Sequence, residues 1–347
     1  MNNFHELYRV AQLPIFQNRM YDTAEEARTC PKGDMLLVED LRTGLVYNAA
    51  FRPELMVYDK CYQNEQACSR LFQQHLEKVA CIIDQRIGRE QIVEIGCGKG
   101  HFLETLLAKG FDINGFDPAY EGSNPRIQRE YFAPGAIEKA KGLILRHVLE
   151  HIENPVNFLE QLKIANNNTG LIYIEVPCFD WICKNKAWFD VFYEHVNYFR
   201  ITDFDRIFGE VIESGHFFGG QYIYAIAELA SLRAPVINNN DRVKFPKNFT
   251  KEITTKKCQT IWGGASKGVI FSLLMERSGF PVEMVIDINP EKQGKFLPGT
   301  GLVVKSPEQG LAELQDGSTI CVMNPLYLEE INNLSGNIFN CVGINDE

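Results

Sequence analysis

Apolar and polar positions divide the chain into three stretches with different periods. Over residues 1–58, short apolar runs such as Met35-Leu36-Leu37-Val38 and Leu45-Val46-Tyr47 are punctuated by Pro14, Pro31, Gly33, Gly44 and Pro53. That pattern predicts a small β-rich unit with no large core of its own. Residues 65–87 then carry Phe72, Leu76, Val79 and Ile83 at steps of four, three and four, the spacing of one helix face. From Gln91 strands and helices alternate. Ile92–Ile95, Phe111–Phe116, Leu143–Leu145, Leu171–Val176 and Tyr222–Leu229 read as strands, and Val156–Ala165 as a helix. The alternation predicts an α/β, Rossmann-like unit with a mainly parallel sheet covered on both faces. Residues 233–258 break the pattern with Asn238-Asn239-Asn240 and seven basic residues, and read as a solvated linker. Strand, glycine turn and helix resume at Thr260-Ile261-Trp262-Gly263-Gly264, with further strands at 282–286, 320–323 and 338–342. The expected division is 1–58, 59–232, 233–258 and 259–347, the last being a second, smaller α/β unit. The two α/β halves repeat one local pattern.

Composition narrows the function classes. A length of 347 residues suits two or three domains with sizeable cores. The formal net charge of −10 disfavours nucleic acid and anionic membrane as partners, since both attract a basic field. No apolar run approaches the roughly 18 residues of a membrane span. The start, Met1 to Val10, has neither a basic nor an apolar leader segment, so a cytoplasmic location is expected. The ten cysteines include no C-x-x-C pair and read as reduced core thiols.

The glycine turn after the first strand of the α/β stretch carries the cofactor argument. Val93-Glu94-Ile95-Gly96-Cys97-Gly98-Lys99-Gly100 is G-x-G-x-G, which lets the backbone approach a ligand closely. A dinucleotide turn places its third glycine one position later, where this chain has His101. Twenty-one residues after Gly96, Asp117 ends the next strand, where a carboxylate can accept from both ribose hydroxyls. Together with Glu94, this set resembles the class I S-adenosylmethionine-dependent methyltransferases. Further segments narrow the resemblance: Arg146-His147-Val148-Leu149-Glu150-His151, Glu175-Val176-Pro177, Tyr193-Glu194-His195-Val196-Asn197-Tyr198 and, late in the chain, Asp287-Ile288-Asn289-Pro290 and Asn324-Pro325-Leu326-Tyr327. In this order they resemble the three-part sugar C-methyltransferases, which methylate C3 of deoxysugars linked to dTDP.

That resemblance implies S-adenosylmethionine as cofactor, held by Glu94, Gly96, Cys97, Gly98, Gly100, Asp117, Pro118, Phe132, Arg146 and His147. It implies a small-molecule substrate, a nucleotide-sugar, with the C-terminal unit helping to hold it and Lys267 and Lys292 as phosphate candidates. A monomer or weak homodimer is expected. The chain departs from the family at its start: the zinc-binding opening domain has four cysteine ligands, and residues 1–58 contain only Cys30, so no metal is expected there. Methylation beside a ketone needs a base for the C–H proton and a group to hold the enolate oxygen. The resemblance assigns the base to His195, a tuning or orienting role to Glu194, and the oxyanion to His151. Tyr193, Tyr198, Tyr58, Tyr62 and Asn64 are substrate-side candidates, although the two tyrosines at 193 and 198 lie in an aromatic stretch that suits a core equally. The alternatives are an O- or N-methyltransferase of the same build, a nucleotide-binding module without catalysis, and a nicotinamide oxidoreductase using the second glycine turn.

Overall fold

The computed structural model describes residues 3–56, 69–254 and 258–345. Its central sheet begins with β4 (Ile92–Ile95), β5 (Ile113–Phe116), β6 (Ile127–Gln128), β7 (Gly142–Arg146) and β8 (Leu171–Pro177). These five strands are parallel neighbours. All four residues of β4 are buried, as a strand covered on both faces requires. Two further strands, β10 (Val211–Phe217) and β11 (Tyr222–Glu228), complete a seven-stranded sheet in the order β10-β11-β8-β7-β4-β5-β6. β11 runs antiparallel to β8, and β10 antiparallel to β11. Counted along the chain within this sheet, the order is 3-2-1-4-5-7-6, a Rossmann-like arrangement whose switch point lies between β4 and β7. β10 was not legible because it has no fully buried position and carries Glu213, Ser214, Gly215 and His216 in its middle. The first long helix spans Arg70–Arg86, not 65–87: the Ser69 hydroxyl accepts from Phe72 N and caps it. Its apolar face is Phe72, Leu76, Val79 and Ile83, as expected.

The opening residues form an antiparallel sheet of β1 (Phe4–Pro14), β2 (Lys32–Asp40) and β3 (Val46–Asn48), joined by β9 (Asn197–Tyr198) from after the central sheet. Its core is not its own. Leu13, Ile15, Met35, Leu37 and Val46 share one cluster with Phe179, Trp188, Tyr193 and, from the far end of the chain, Phe271. The Trp188 and Phe271 rings stack at 5.3 Å.

The last sheet is entirely parallel: β12 (Thr260–Trp262), β13 (Met284–Ile286), β14 (Val304–Lys305), β15 (Thr319–Val322) and β16 (Asn340–Gly343), in the order β14-β13-β12-β15-β16. This is again 3-2-1-4-5. Two sequence expectations are corrected here. Residues 233–258 are not merely solvated: Phe249, Ile253 and Cys258 are buried, Arg242 binds Glu39 at 2.7 Å, and Asp241 holds Arg200 and Arg206. Of the charges that suggested a linker, Arg242 is neutralised by a partner 203 positions away. Likewise, Cys258 and Cys321 are not free thiols but a disulfide across this sheet. Among the described residues no helix is long and apolar enough to cross a membrane.

Candidate active site

β4 delivers the first glycine turn to the switch point. Gly96 and Gly100 have φ of 69° and 83°, and a Cβ on either would come within 2.5 Å of Val148 or Ile127, so both positions demand glycine. At the end of β5, Asp117 Oδ2 accepts from Gly98 N at 2.7 Å and Oδ1 accepts from Ala119 N at 2.8 Å. The carboxylate therefore braces the turn while standing half-exposed at its mouth. Glu94 is 3% exposed and its Oε2 has no hydrogen-bond partner among the described residues. Burial pushes its carboxyl up to about 7 against the pull of Arg146. An orphaned buried acceptor beside a turn whose Gly96 and Gly100 admit no side chain fits a polar ligand at this position. Pro118 is exposed beside Asp117.

Three of the expected cofactor contacts are turned inward instead. Phe132 meets Phe116 edge-on at 5.1 Å, Cys97 is buried, and Arg146 pairs with Glu175 at 3.2 Å under the Phe102 ring. They shape the floor of the turn.

Glu175, fully buried in β8, is a hub that the sequence analysis did not single out as functional. It binds His75 Nε2 at 3.0 Å, Arg146 at 3.2 Å, His147 Nε2 at 3.1 Å and the Tyr173 hydroxyl at 2.7 Å. Burial alone would raise its carboxyl, but Arg146 and the two histidines hold it well below the usual range. The signal was present: one acidic residue inside the otherwise apolar run Leu171–Val176. His147, at a left-handed φ of 51°, lies between Glu175 and Glu150, whose Oε1 is 3.4 Å from Nδ1. Burial opposes its charge, but the two carboxylates win and raise it to about 9, so it is an imidazolium at neutral pH.

A cavity of about 260 Å³ opens past these residues, between the carboxyl ends of the central and last sheets. One wall carries Glu150, His151, Glu194 and His195; the other carries Lys267, Asp287 and Lys292. The rings of His151 and His195 meet edge-to-face at 4.9 Å. Burial, reinforced by His151, His147 and Lys267, holds the His195 imidazole well below its usual range, so it is neutral. His151 Nδ1 lies 2.9 Å from the Glu194 carbonyl oxygen. A carbonyl only accepts, so Nδ1 carries the proton and donates it to this bond. Glu194 Oε2 accepts from Gln17 N at 2.9 Å, which ties the N-terminal segment to the cavity wall.

The two aromatic candidates are structural. Tyr193 is fully buried, its ring fills the space above Gly33, and its hydroxyl accepts from Arg52 N at 2.9 Å. Tyr198 is 3% exposed and its hydroxyl donates to Phe192 O at 3.1 Å. Both positions follow from an aromatic stretch that packs the N-terminal sheet. Tyr58, Tyr62 and Asn64 lie outside the described residues. Of the lysines, Lys267 faces Gln221 Oε1 at 2.7 Å and Asp190 at 3.2 Å, and Lys292 lies 3.3 Å from Asn18 Oδ1.

Residues 62–211 match the family model described as a methyltransferase domain. The chain is 25% identical over 309 residues to C-methyltransferase NovU of Streptomyces niveus, covering 74% of this chain and 72% of that protein. Among solved structures it is similar to a SAM dependent methyltransferase from Archaeoglobus fulgidus, at 16% identity and a TM-score of 0.36 over 46% of this chain and 100% of that one. It is also similar to the 1,6-didemethyltoxoflavin-N1-methyltransferase of Burkholderia thailandensis, at 14% identity and a TM-score of 0.34 over 44% and 77%. The sheet is a Rossmann-like class I methyltransferase fold, and the chain is a methyltransferase.

Proposed function

We propose that this S-adenosylmethionine-dependent methyltransferase places its methyl group on a carbon beside the ketone of a nucleotide-linked deoxysugar. The observation that carries this reading is the position of His195, a neutral imidazole lining a cavity with His147, Glu150 and His151, which follow β7. Oxygen and nitrogen nucleophiles are often reactive enough without a buried base, whereas a C–H bond beside a ketone needs a positioned acceptor. The C-methyltransferase named among the relatives supports transfer to carbon. When bound, the cofactor supplies an already activated methyl group.

The chain's residues divide the remaining work. The turn Gly96–Gly100, Glu94 and Asp117 hold the donor at the switch point. His195 takes the C–H proton, and its low basicity keeps it unprotonated until substrate arrives. Lys267, a cation on the opposite wall, balances charge developing on the enolate oxygen. Residues 259–347 hold the nucleotide, with the Gly263–Lys267 turn and Lys292 toward its phosphates. The boundaries 59–232 for the methyl-transfer unit and 1–58 for a substrate-side unit complete the proposal.

His195→Asn is expected to lower turnover by roughly 10²–10⁴-fold while S-adenosylhomocysteine affinity stays unchanged. A substrate deuterated beside the ketone should lose its label to water only with His195 intact. Transfer without label exchange would point to an oxygen or nitrogen acceptor instead.

A further inference from the structure

Lys267 follows β12 of the last sheet, but the groups around its ammonium come from the central sheet and the chain after β8. Gln221, immediately before β11, is 5% exposed. Its backbone oxygen accepts from Cys178 N at 2.8 Å, which fixes it beside the carboxyl end of β8. Its side-chain Oε1 accepts from Lys267 Nζ at 2.7 Å, and its Nε2 donates to Asn324 Oδ1 at 2.8 Å. Asp190 Oδ2 lies 3.2 Å from the same ammonium, and Lys267 Nζ sits 4.9 Å from the centre of the Trp181 ring.

Chemistry fixes the sense of this chain of bonds. An ammonium only donates, so the amide oxygen of Gln221 faces Lys267 and the amide nitrogen faces Asn324. Asn324 Oδ1 also accepts from Leu326 N at 3.2 Å, so that oxygen is an acceptor on both sides. A buried amide engaged at both ends has one orientation, and each bond strengthens the next. Lysine by itself is a point charge on a flexible four-carbon stem. A cation serves developing charge best when it is held in place before that charge appears. An ammonium has three N–H groups. Even with one on Gln221 and one on Asp190, a third is left for a ligand in the cavity that Lys267, Asp190 and Asn324 line.

We infer that Gln221 is a positioning residue, which holds the Lys267 ammonium at the cavity and ties it to the Asn324 turn. The cation is then in place only when the last sheet and its helices pack against the central sheet. The inference rests on the reading of Lys267 as the cation that faces the enolate oxygen, and it adds the residue through which the methyl-transfer unit sets that cation's place.

The test compares Gln221→Leu and Gln221→Glu in the full chain without substrate. The readout is the rate at which acetic anhydride acetylates Lys267, followed by mass spectrometry across pH. Only the unprotonated amine reacts. Leucine removes both bonds, so Lys267 should react roughly 10-fold faster than in the parent. Glutamate sets a second carboxylate beside the ammonium, so Lys267 should react more slowly and titrate at higher pH. Opposite shifts mark positioning, because a general loosening of the fold would speed both. The exposed Lys109 should react alike in all three chains, and unchanged S-adenosylhomocysteine affinity reports an intact fold. Lys267 acetylated at the parent rate in both variants, or faster in both, overturns the inference. If Gln221→Leu fails to fold, Gln221→Glu decides alone, and an unslowed Lys267 overturns it. Turnover tests the underlying reading separately: a keto-sugar deuterated beside the ketone should exchange its label more slowly in both variants. Acetylation that responds while exchange does not would remove Lys267 from the enolate and leave Gln221 as the residue that positions it.

Discussion

The two glycine turns are built alike and do different things. In the first, Asp117 Oδ2 accepts from Gly98 N at 2.7 Å and Oδ1 from the amide two residues on, at 2.8 Å. In the second, Asp287 Oδ2 accepts from Gly264 N at 2.7 Å and Oδ1 from Asn289 N, also two residues on, at 2.8 Å. Both turns end the central strand of a sheet ordered 3-2-1-4-5. Their surroundings diverge. The helix after the first turn, His101–Ala108, buries Phe102, Leu103 and Leu106 and leaves its other face outward. The helix after the second, Ser266–Arg277, is buried from Gly268 to Met275, because the N-terminal sheet and the segment around Trp188 cover it. Beyond the fourth strand, the first unit has His147 between two carboxylates, and the second has the apolar Met323. A local turn thus fixes where a ligand can approach, while the neighbours decide whether chemistry is possible there.

The largest contrast should appear in stability. A Cβ at Gly268 would lie 1.9 Å from the Gly263 carbonyl oxygen, a backbone atom that cannot swing away. Gly268→Ala should cost about 3 kcal/mol or more, as overpacking in a rigid site does. A Cβ at Gly98 meets nothing within 4 Å, so Gly98→Ala should cost only the left-handed backbone, about 1–2 kcal/mol. Urea unfolding compares the two, and equal midpoints would erase the distinction between a packed and an open turn.

Protonation separates the units next. The folded pKa of His147 is raised from 6.5 to about 9. Its contribution is therefore complete below about 6.5 and is lost as pH rises through 9. Stability should fall by on the order of 2–3 kcal/mol across that window, and His147→Gln should flatten the fall. A parent chain equally stable at pH 6.5 and 9.5 would show that the carboxylates do not hold this proton.

Cofactor affinity gives the smallest change and the sharpest assignment. Asp117→Ala should weaken S-adenosylhomocysteine binding by about 1.5–3 kcal/mol, the scale of hydrogen bonds to a charged group. Asp287→Ala, removing the same interactions from the second turn, should leave that affinity unchanged. Calorimetry showing the reverse would exchange the roles of the two units.

Periodicity and spacing determined a good deal by themselves. Ile92–Ile95 reads as a strand because every side chain in it is apolar or faces the floor of the site, and Gly96, Gly98, Gly100 and Asp117 are tied to it by short chain distances. Those are local constraints, set by backbone sterics and the period of side-chain faces, so they survive without knowledge of the rest of the fold. The second turn was legible on the same terms. Tertiary structure decided what no local rule reaches. β1 and β10 gain their pairing from partners rather than from their own burial, so their composition hides them. Arg242 and Asp241 became structural through Glu39, Arg200 and Arg206, each dozens to hundreds of positions away. Tyr193 could have faced a substrate or a core, and Gly33 and Arg52 settled it by offering a ring-sized gap and an amide. His151 and His195, forty-four positions apart, became neighbouring rings only because β7 and the segment after β8 end at the same edge of the sheet. Burial and opposing charge act through space, and the chain's order does not reveal which groups will share a low-dielectric site until the sheet has brought them together.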